Sequence, residues 1–330
     1  MTKRPYLAGV LGAFFIAFSA ILVRVAEVEP ATAAVFRCLY ALPVLGLIAW
    51  RERVKYGPRP LRQRMIAAGA GVFFALDLVF WHNAIAAVGA GLATALGNSQ
   101  VVFVGLIAWL ILRERPEKRA LLALPIVAAG LVLISGVIGE GAFGKSPGLG
   151  VFYGVLTAIT YSGFLLVLRG GNRDIRRPAG PLFDATATTA IGAALIGLAI
   201  RDINLTISWP SHGWLALLAL ESQVAGWLLI SISLPRLPAA VTSLLLLVQP
   251  VASMLFARIL LAETPSGIQV LGVGFILAGI VFANSGRRPS DELLSPDPDQ
   301  EHDSGHKMEH VGGDVGREKT EAPASPEKDH

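Results

Sequence analysis

The sequence predicts an all-α polytopic membrane protein in which ten transmembrane helices form two inverted five-helix repeats. Three observations lead to this prediction: the composition, an internal repeat and the charge of the loops. Hydrophobic residues make up 53% of the 330 positions and charged residues 16%, with a mean hydropathy of +0.59. Soluble domains carry about 25% charged residues, so the composition of this chain is typical of a membrane protein.

The second half of the chain repeats the first at a shift of about 149 positions. At this shift Glu114 and Pro116 coincide with Glu263 and Pro265, and Gln100 coincides with Gln249. Further identical pairs join Leu112, Leu122, Ala129, Gly130 and Val132 to Leu261, Leu271, Ala278, Gly279 and Val281. The match runs without a gap, which indicates two copies of one helical unit.

Ten apolar stretches are long enough to cross the membrane. A helix needs about 20 apolar residues to span roughly 30 Å of hydrocarbon. The stretches run approximately over 6–23, 31–50, 66–87, 91–112, 119–138, 149–168, 183–200, 213–233, 239–261 and 267–285. Five fall in each copy, and an odd number of crossings turns the second copy over relative to the first.

The first stretch also has features of a secretory signal, because Lys3 and Arg4 precede its apolar core. We predict that it is retained as a helix. Ser19 in this stretch has a counterpart in Ser162 of the sixth stretch, and removal of the segment would leave one copy a helix short.

The loops support opposite orientations of the two copies. Arg113, Arg115, Lys118 and Arg119 of the first copy are replaced in the second by Ala262, Thr264, Gly267 and Ile268. Cytoplasmic loops retain Lys and Arg, whereas exported loops do not. With the N-terminus inside, 19 basic residues face the cytoplasm and four (Arg24, Lys145, Arg201 and Arg258) face the opposite side. We therefore predict a multi-pass protein of the cytoplasmic membrane with both termini in the cytoplasm.

The predicted organisation is a first repeat over 1–138, a linker over 139–148, a second repeat over 149–285 and a disordered acidic cytoplasmic tail over 286–330. The tail holds 6 Lys and Arg against 12 Asp and Glu, so the basic excess of the chain lies next to the membrane and does not indicate nucleic-acid binding. His302, His306 and His310 recur every four residues in the tail, but Gly305 and the surrounding composition argue against a helix that would align them. We predict no metal site and no cofactor.

Charged residues inside predicted spans are costly and therefore candidates for function. Asp77 lies near the middle of the third span, Glu221 near the middle of the eighth and Arg37 in the second. Removal from water favours the neutral form of a carboxyl group, so proton coupling is one hypothesis for the two acids. The alternative is that each carboxylate only pairs with Arg37 or another internal donor.

Polar and aromatic residues near the midplane form a second candidate group. Gln100 and Gln249 are related by the repeat and lie at the depth where transporters bind their substrates. An amide offers both donors and an acceptor, although an interhelical hydrogen bond explains the pair equally simply. Asn98, Trp81 and Tyr161 add amide and aromatic character. Together they predict a site for a small solute that is mostly hydrophobic or carries an aromatic group.

The matched turns are predicted to be structural. Pro116 and Pro265 can take the first position of a helix, and the carboxylates of Glu114 and Glu263 can meet the positive start of a helix. Gly130 and Gly279 indicate close helix contacts.

The Glu-x-Pro turns, the inverted five-helix copies and the Gln249-Pro250 step together resemble the EamA-type branch of the drug/metabolite transporter superfamily, over about residues 6–285. The resemblance implies two five-helix repeats around a central cavity, movement of small organic solutes by alternating access, and no ATP-hydrolysing domain. Arg37 resembles an arginine that such proteins often have in the second helix. Pro250 resembles a proline common in the ninth, and it is the candidate hinge because a proline within a helix frees a carbonyl one turn earlier and permits bending. Val101 takes its place in the first copy, so the two halves need not bend alike.

The predicted function is therefore secondary transport of small organic solutes or metabolites, with export favoured. Uptake or exchange of a nutrient such as an amino acid is the alternative, and a channel or an intramembrane enzyme is a more distant one. No HExxH motif occurs in the chain, and we do not predict an enzyme. The expected partners are the solute, the lipid bilayer and, under the coupling hypothesis, protons.

Overall fold

The computed structural model describes residues 5–100, 118–138, 140–171, 176–233 and 239–285, with 102–103, 106–107, 110 and 174 between them. Over these residues the secondary structure is helical and contains no strand. This confirms the predicted class, an all-helical polytopic membrane protein. Glu114 and Pro116, the residues from 286 onward and most of the second half of the predicted fourth span lie outside the described residues.

The described helices follow the predicted spans closely. In chain order they are α1 (Pro5–Ala26), α2 (Pro30–Tyr56), α3 (Leu61–Val88), α4 (Ala90–Asn98), α5 (Lys118–Ile134), α6 (Pro147–Gly171), α7 (Ala179–Ile200), α8 (Ser211–Leu218), a π-helical segment (Ala219–Gly226), α9 (Trp227–Ser233), α10 (Ala239–Leu260) and α11 (Gly267–Asn284).

Six helical stretches in the described part of the chain are long and apolar enough to cross a membrane. They correspond to the predicted first, second, third, sixth, seventh and eighth spans. Three shorter apolar helices lie at Leu121–Ile134, Val248–Leu260 and Gly267–Phe282. The fourth span departs from the prediction of a continuous helix, because α4 ends at Asn98 and a turn at Ser99 follows.

Carboxylates at the ends of some helices cap the starts of others across the bundle. Glu52, near the end of α2, accepts hydrogen bonds from the backbone amides of Ala179 (3.0 Å) and Gly180 (2.9 Å) at the start of α7. Asp202, just after α7, accepts one from the amide of Ala31 (3.1 Å) at the start of α2. The first amides of a helix have no partner within it, so these contacts fix α2 and α7 against each other at both ends.

Glu263 caps a distant helix in the same way. It is buried, and its two carboxylate oxygens accept from the amides of Ala90 (2.8 Å) and Gly91 (3.3 Å) at the start of α4. Gly89 makes this approach possible, since its φ of +86° turns the chain and a Cβ there would lie 2.7 Å from the Glu263 carboxyl group. The predicted structural role of Glu263 thus takes the form of a cap on α4.

The turn around Pro265 differs from the expectation that this proline opens its helix. Helix α11 begins at Gly267, and Ser266 is its N-cap. The Ser266 hydroxyl accepts from the Gln269 amide (3.3 Å), and the Gln269 side chain accepts from the Ser266 amide (3.0 Å). This capping box satisfies the helix start, and Pro265 therefore lies before the helix.

Glycines bring α5 and α11 into close contact. A Cβ built at Gly130 would lie 2.6 Å from the carbonyl oxygen of Gly272, and one built at Gly272 would lie 2.8 Å from the carbonyl oxygen of Gly130. A Cβ at Gly279 would lie 2.6 Å from a methyl carbon of Val127. The close contacts predicted at Gly130 and Gly279 are present, and small residues are what such crossings need.

We expect Gly272→Ala to lower the stability of the protein, because the new methyl group meets backbone atoms that cannot rotate away. Overpacking of this kind costs about 1–3 kcal/mol. Gly274→Ala is the matched control, since it lies on the same helix with no atom within 4 Å of its Cβ position. It should be neutral or gain up to about 1 kcal/mol from helix propensity.

The measurement is thermal unfolding of the full chain in detergent. Equal melting temperatures for Gly272→Ala and Gly274→Ala would contradict the close approach of α5 and α11.

Candidate substrate site

A cavity of about 60 Å³ lies within the helix bundle. Seven helices contribute to its wall, and several do so at spacings of three and four residues, which place side chains on one helix face. The lining residues are Ile16, Ser19, Arg37, Phe74, Asp77, Leu78, Trp81, Thr94, Gly97, Asn98, Thr157, Tyr161, Trp227 and Gln249. Six residues proposed from the sequence for substrate binding or coupling are therefore neighbours here: Arg37, Asp77, Trp81, Asn98, Tyr161 and Gln249.

Arg37 is held on this wall by the eighth span. It is 2% exposed, its Nε donates to Gln223 Oε1 (3.0 Å) and its Nη2 donates to Ser222 Oγ (3.0 Å). Gln223 in turn donates from Nε2 to Thr186 Oγ1 (3.1 Å) on α7. The guanidinium carbon also lies 5.8 Å from the centre of the Trp81 ring, within the range of a cation–π contact. These contacts fix the cation at the cavity.

The two acceptors of Arg37 lie in the π-helical segment. A π-helix holds more residues per turn than an α-helix, so a short π segment changes which side chains face a neighbouring helix. Glu221, Ser222 and Gln223 are consecutive in this segment, and the latter two face Arg37. Segments of this kind occur often at functional sites, and this one lies beside the cavity.

The two intramembrane acids have different surroundings. Asp77 is 5% exposed and lies on the cavity wall. Both carboxyl oxygens of Glu221 are buried and lack a hydrogen-bond partner in the described structure, and Glu221 is not part of the cavity wall. Both acids interact electrostatically with Arg37, but the hydrogen bonds of Arg37 go to Ser222 and Gln223.

The amides divide between the cavity and the surrounding protein. Asn98 lines the cavity and donates from Nδ2 to the carbonyl oxygen of Thr94 (2.8 Å), and Gln249 also lines it. Gln100 is buried and does not line the cavity, and its side-chain oxygen has no hydrogen-bond partner in the described structure. The turn at Ser99 separates Gln100 from α4, so the repeat-related glutamines have different environments.

Aromatic rings form one side of the cavity. Phe74 stacks on Phe164 with ring centres 4.3 Å apart, and Trp227 meets Phe74 edge to face at 5.6 Å. Tyr161 stacks on Phe164 at 5.9 Å. Rings packed in this way present rigid apolar surface at little conformational cost.

Two polar atoms on the wall are left without partners. Thr157 Oγ1 and Trp227 Nε1 are buried, lack a hydrogen-bond partner in the described structure and belong to residues that line the cavity. Buried polar groups in proteins are nearly always hydrogen-bonded. A solute with matching polar groups would satisfy both atoms.

Pro250 lies inside α10, next to Gln249, and α10 is helical from Ala239 to Leu260. A proline in a helix removes one backbone hydrogen bond, so bending at this position stays a prediction.

Sequence reasoning missed several residues of the site. Ser222 and Gln223 were overlooked beside the more conspicuous Glu221, although three consecutive polar residues in an apolar span were a usable signal. Phe74, Thr94 and Trp227 carry no signal of their own, because aromatic residues and threonines occur throughout membrane helices.

The fold and site define a class: a multi-pass helical membrane protein with a central cavity lined by polar, charged and aromatic side chains. The family model of EamA-like transporters matches residues 3–136 and again 148–285. The chain belongs to the EamA-like transporter family, as the resemblance predicted.

Two further comparisons agree. An uncharacterized transporter from Synechocystis sp. is 23% identical over 257 residues, covering 75% of this chain and 77% of that protein. A solved crystal structure aligns with 86% of this chain and 97% of its own length, with a TM-score of 0.56 and 17% identity. That likeness concerns the fold alone.

Proposed function

We propose that this protein is a secondary transporter that carries small organic solutes across the cytoplasmic membrane by alternating access. In this proposal ten helices cross the bilayer as two inverted five-helix repeats, residues 1–138 and 149–285, and both termini are cytoplasmic. The observation that carries the proposal is the central cavity, where a fixed cation, an acid, two amides and aromatic rings share one wall. Transporter sites lie at this kind of position, between repeats and beside interrupted helices.

The size of the cavity favours a moving mechanism. Sites for organic ligands commonly measure roughly 300–1,000 Å³, whereas this cavity measures about 60 Å³. We propose that the site widens by separation of helices when it binds a solute. Among the described spans, the turn at Ser99 and the π-helical segment depart from regular α-helix, and Pro43, Pro125 and Pro250 lie inside helices. We propose that bending occurs at Ser99, in the π-helical segment and at Pro250, because each of these adjoins a residue of the cavity wall.

The chemistry of the wall suggests the solute. The rings of Phe74, Tyr161 and Trp227 suit an apolar or aromatic body, and Asn98 and Gln249 suit its polar groups. We propose export of such metabolites as the direction. Uptake or exchange of an amino acid is the second candidate, because Arg37 and Asp77 on one wall match the opposite charges of a zwitterion.

Liposomes that contain the purified protein test the proposal. Metabolite profiling of cells with and without the protein identifies the solutes to assay and the direction. We expect saturable counterflow of a labelled solute. Flux that rises without saturation would indicate a channel, and formation of a product would indicate an enzyme; either result would overturn the proposal.

We propose further that transport is coupled to protons through Glu221 and Asp77. An ionised carboxylate buried without a donor is very costly, and Glu221 has no hydrogen-bond partner in the described structure. Proton uptake would remove that cost, and release would restore the attraction to Arg37.

We expect Glu221→Gln to flatten the pH dependence of net transport while substrate exchange continues, because the amide cannot gain or lose a proton. Asp77→Asn should do the same if both acids carry protons. Exposed Glu140 provides the control variant Glu140→Gln. The measurement is initial rate against pH in liposomes. If both variants transport normally with an unchanged pH profile, the coupling proposal fails.

A further inference from the structure

A second cavity, of about 240 Å³, lies where α2 ends and α7 begins. It shares no lining residue with the central cavity. Its wall comes from α2, the link to α3, the first turn of α3, the loop before α7 and the start of α7: Gly46, Ala49, Trp50, Glu52, Arg53, Gly57, Pro58, Arg59, Arg64, Arg177, Gly180, Phe183 and Asp184.

The wall changes from apolar to cationic along one helix face. Gly46, Ala49, Trp50 and Arg53 follow one another on α2 at spacings that place them on the same face. Phe183 of α7 closes the apolar end, since a Cβ at Gly46 would lie 3.2 Å from its ring. A ligand that fills this cavity must be apolar at one end and anionic at the other.

Positive charge exceeds negative charge on the wall, with four arginines against Glu52 and Asp184. Both acids are already engaged. Asp184 pairs with Arg59 and lies 3.6 Å from Arg64 Nε, and Glu52 caps α7. Arg177 donates to Asp174 (2.9 Å) and to the carbonyl oxygen of Gly57 (3.0 Å). Among the described residues, the positive charge of Arg53 has no paired acid and Arg59 uses only part of its donors, so both remain able to bind an anionic ligand.

One N–H group of the Arg59 guanidinium has no hydrogen-bond acceptor in the described structure. The Arg59 side chain is 10% exposed, Nη2 contacts Asp184, and the buried Nη1 has no hydrogen-bond partner in the described structure. The guanidinium packs on Gly180, where a Cβ would lie 3.1 Å from Nε. A buried guanidinium N–H without an acceptor is costly, and phosphate oxygens are acceptors that fit guanidinium geometry.

The position of the cavity at the ends of candidate membrane spans favours a lipid head group as the phosphate. Helices α2, α3 and α7 are membrane spans, and the cavity lies at their basic ends. Trp50 is 60% exposed beside it, and tryptophan is enriched at the level of lipid head groups. Basic pockets between transmembrane helices bind anionic head groups.

We propose that this cavity binds the phosphate head group of an anionic phospholipid. The phosphate accepts hydrogen bonds from Arg59 Nη1 and from Arg53, and the start of an acyl chain lies along Gly46, Ala49 and Phe183. Such a lipid joins α2 to α7 at the cytoplasmic surface. The proposal does not depend on what the central cavity transports.

The test uses the full-length protein, purified in detergent and stripped of lipid. Phosphatidylglycerol, phosphatidylcholine and glycerol 3-phosphate are added separately, and binding is measured by native mass spectrometry and by the shift in melting temperature. We expect binding and thermal stabilisation with phosphatidylglycerol alone. Equal effects of phosphatidylcholine, or of glycerol 3-phosphate, would overturn the proposal, the latter by indicating a site for soluble phosphate esters.

Variants test the named residues. We expect Arg59→Gln and Arg53→Gln each to weaken phosphatidylglycerol binding roughly five- to tenfold, the value of one arginine near an anionic lipid. Arg53→Gln leaves the Arg59–Asp184 pair intact, so it remains informative if Arg59→Gln folds poorly. Arg62→Gln makes the same charge change at an exposed position of α3 outside the cavity and should bind as the unchanged protein does. Unchanged binding in both cavity variants would overturn the assignment.

Discussion

Replacing Arg37 by glutamine should reduce transport by roughly 100- to 4,000-fold. Loss of one partner from a buried polar network that holds charge costs about 3–5 kcal/mol, and each 1.4 kcal/mol is about tenfold in an equilibrium or rate. Arg37 meets this description because it is 2% exposed, hydrogen-bonded to Ser222 and Gln223, and close to two acids. Its removal leaves those acids without their cation.

Arg37→Lys separates charge from geometry. Lysine keeps the positive charge but is a point charge that lacks the planar fork of arginine, so it cannot reproduce both hydrogen bonds to the π-helical segment. We expect an intermediate rate. Arg51→Gln, at an exposed position of the same helix, is the control and should transport normally. The measurement is counterflow in liposomes with matched protein content, and a rate for Arg37→Gln near that of Arg51→Gln would contradict the proposed role.

Replacing Glu263 by alanine should destabilise the protein by about 2–6 kcal/mol, because two backbone amides at the start of α4 lose their acceptor and each orphaned buried donor costs about 1–3 kcal/mol. The favourable interaction of the carboxylate with the helix start is lost as well. Glu263→Gln keeps one acceptor oxygen, so its stability should lie between that of the unchanged protein and that of Glu263→Ala. Thermal unfolding in detergent measures the effect.

The same change should also weaken transport, because α4 carries Thr94, Gly97 and Asn98 to the cavity wall. Glu140→Ala removes a carboxylate from an exposed loop position and serves as the control for both measurements. If Glu263→Ala melts at the same temperature as Glu140→Ala, the capping contact does not contribute to stability.

Much of the fold was predictable because the bilayer imposes a simple rule on sequence. A membrane helix must be apolar over its length, so spans appear directly in the chain, and the described helices follow nearly all of them. The break at Ser99 and the π-helical segment were not predictable. The apolar pattern of a span is the same whether the backbone is regular or locally distorted, and the contacts found at the π-helical segment, such as Gln223 to Thr186, come from another helix.

The candidate site was likewise only partly predictable from the sequence. Arg37, Asp77 and Glu221 were conspicuous because charge is rare within spans, and Asn98, Trp81, Tyr161 and Gln249 because of their polar or aromatic character near the midplane. The sequence did not show which of these residues line the same cavity. The cavity draws on seven helices, and the rotation of each helix is set by packing. Gln100 and Gln249 illustrate the limit, since equivalent positions in the repeat came to lie in different surroundings.

By itself, the sequence determined that this chain is an all-helical membrane protein of the transporter type, with its charged midplane residues marked as candidates. Hydrophobicity and the distribution of charge are properties of the residues alone. The tertiary structure decided the partners: that Arg37 is held by Ser222 and Gln223, that Glu263 caps α4, and that Gln249 lines the cavity while Gln100 does not. Those outcomes depend on how helices far apart in the chain pack, and hydrogen bonds between them form only after that packing is fixed.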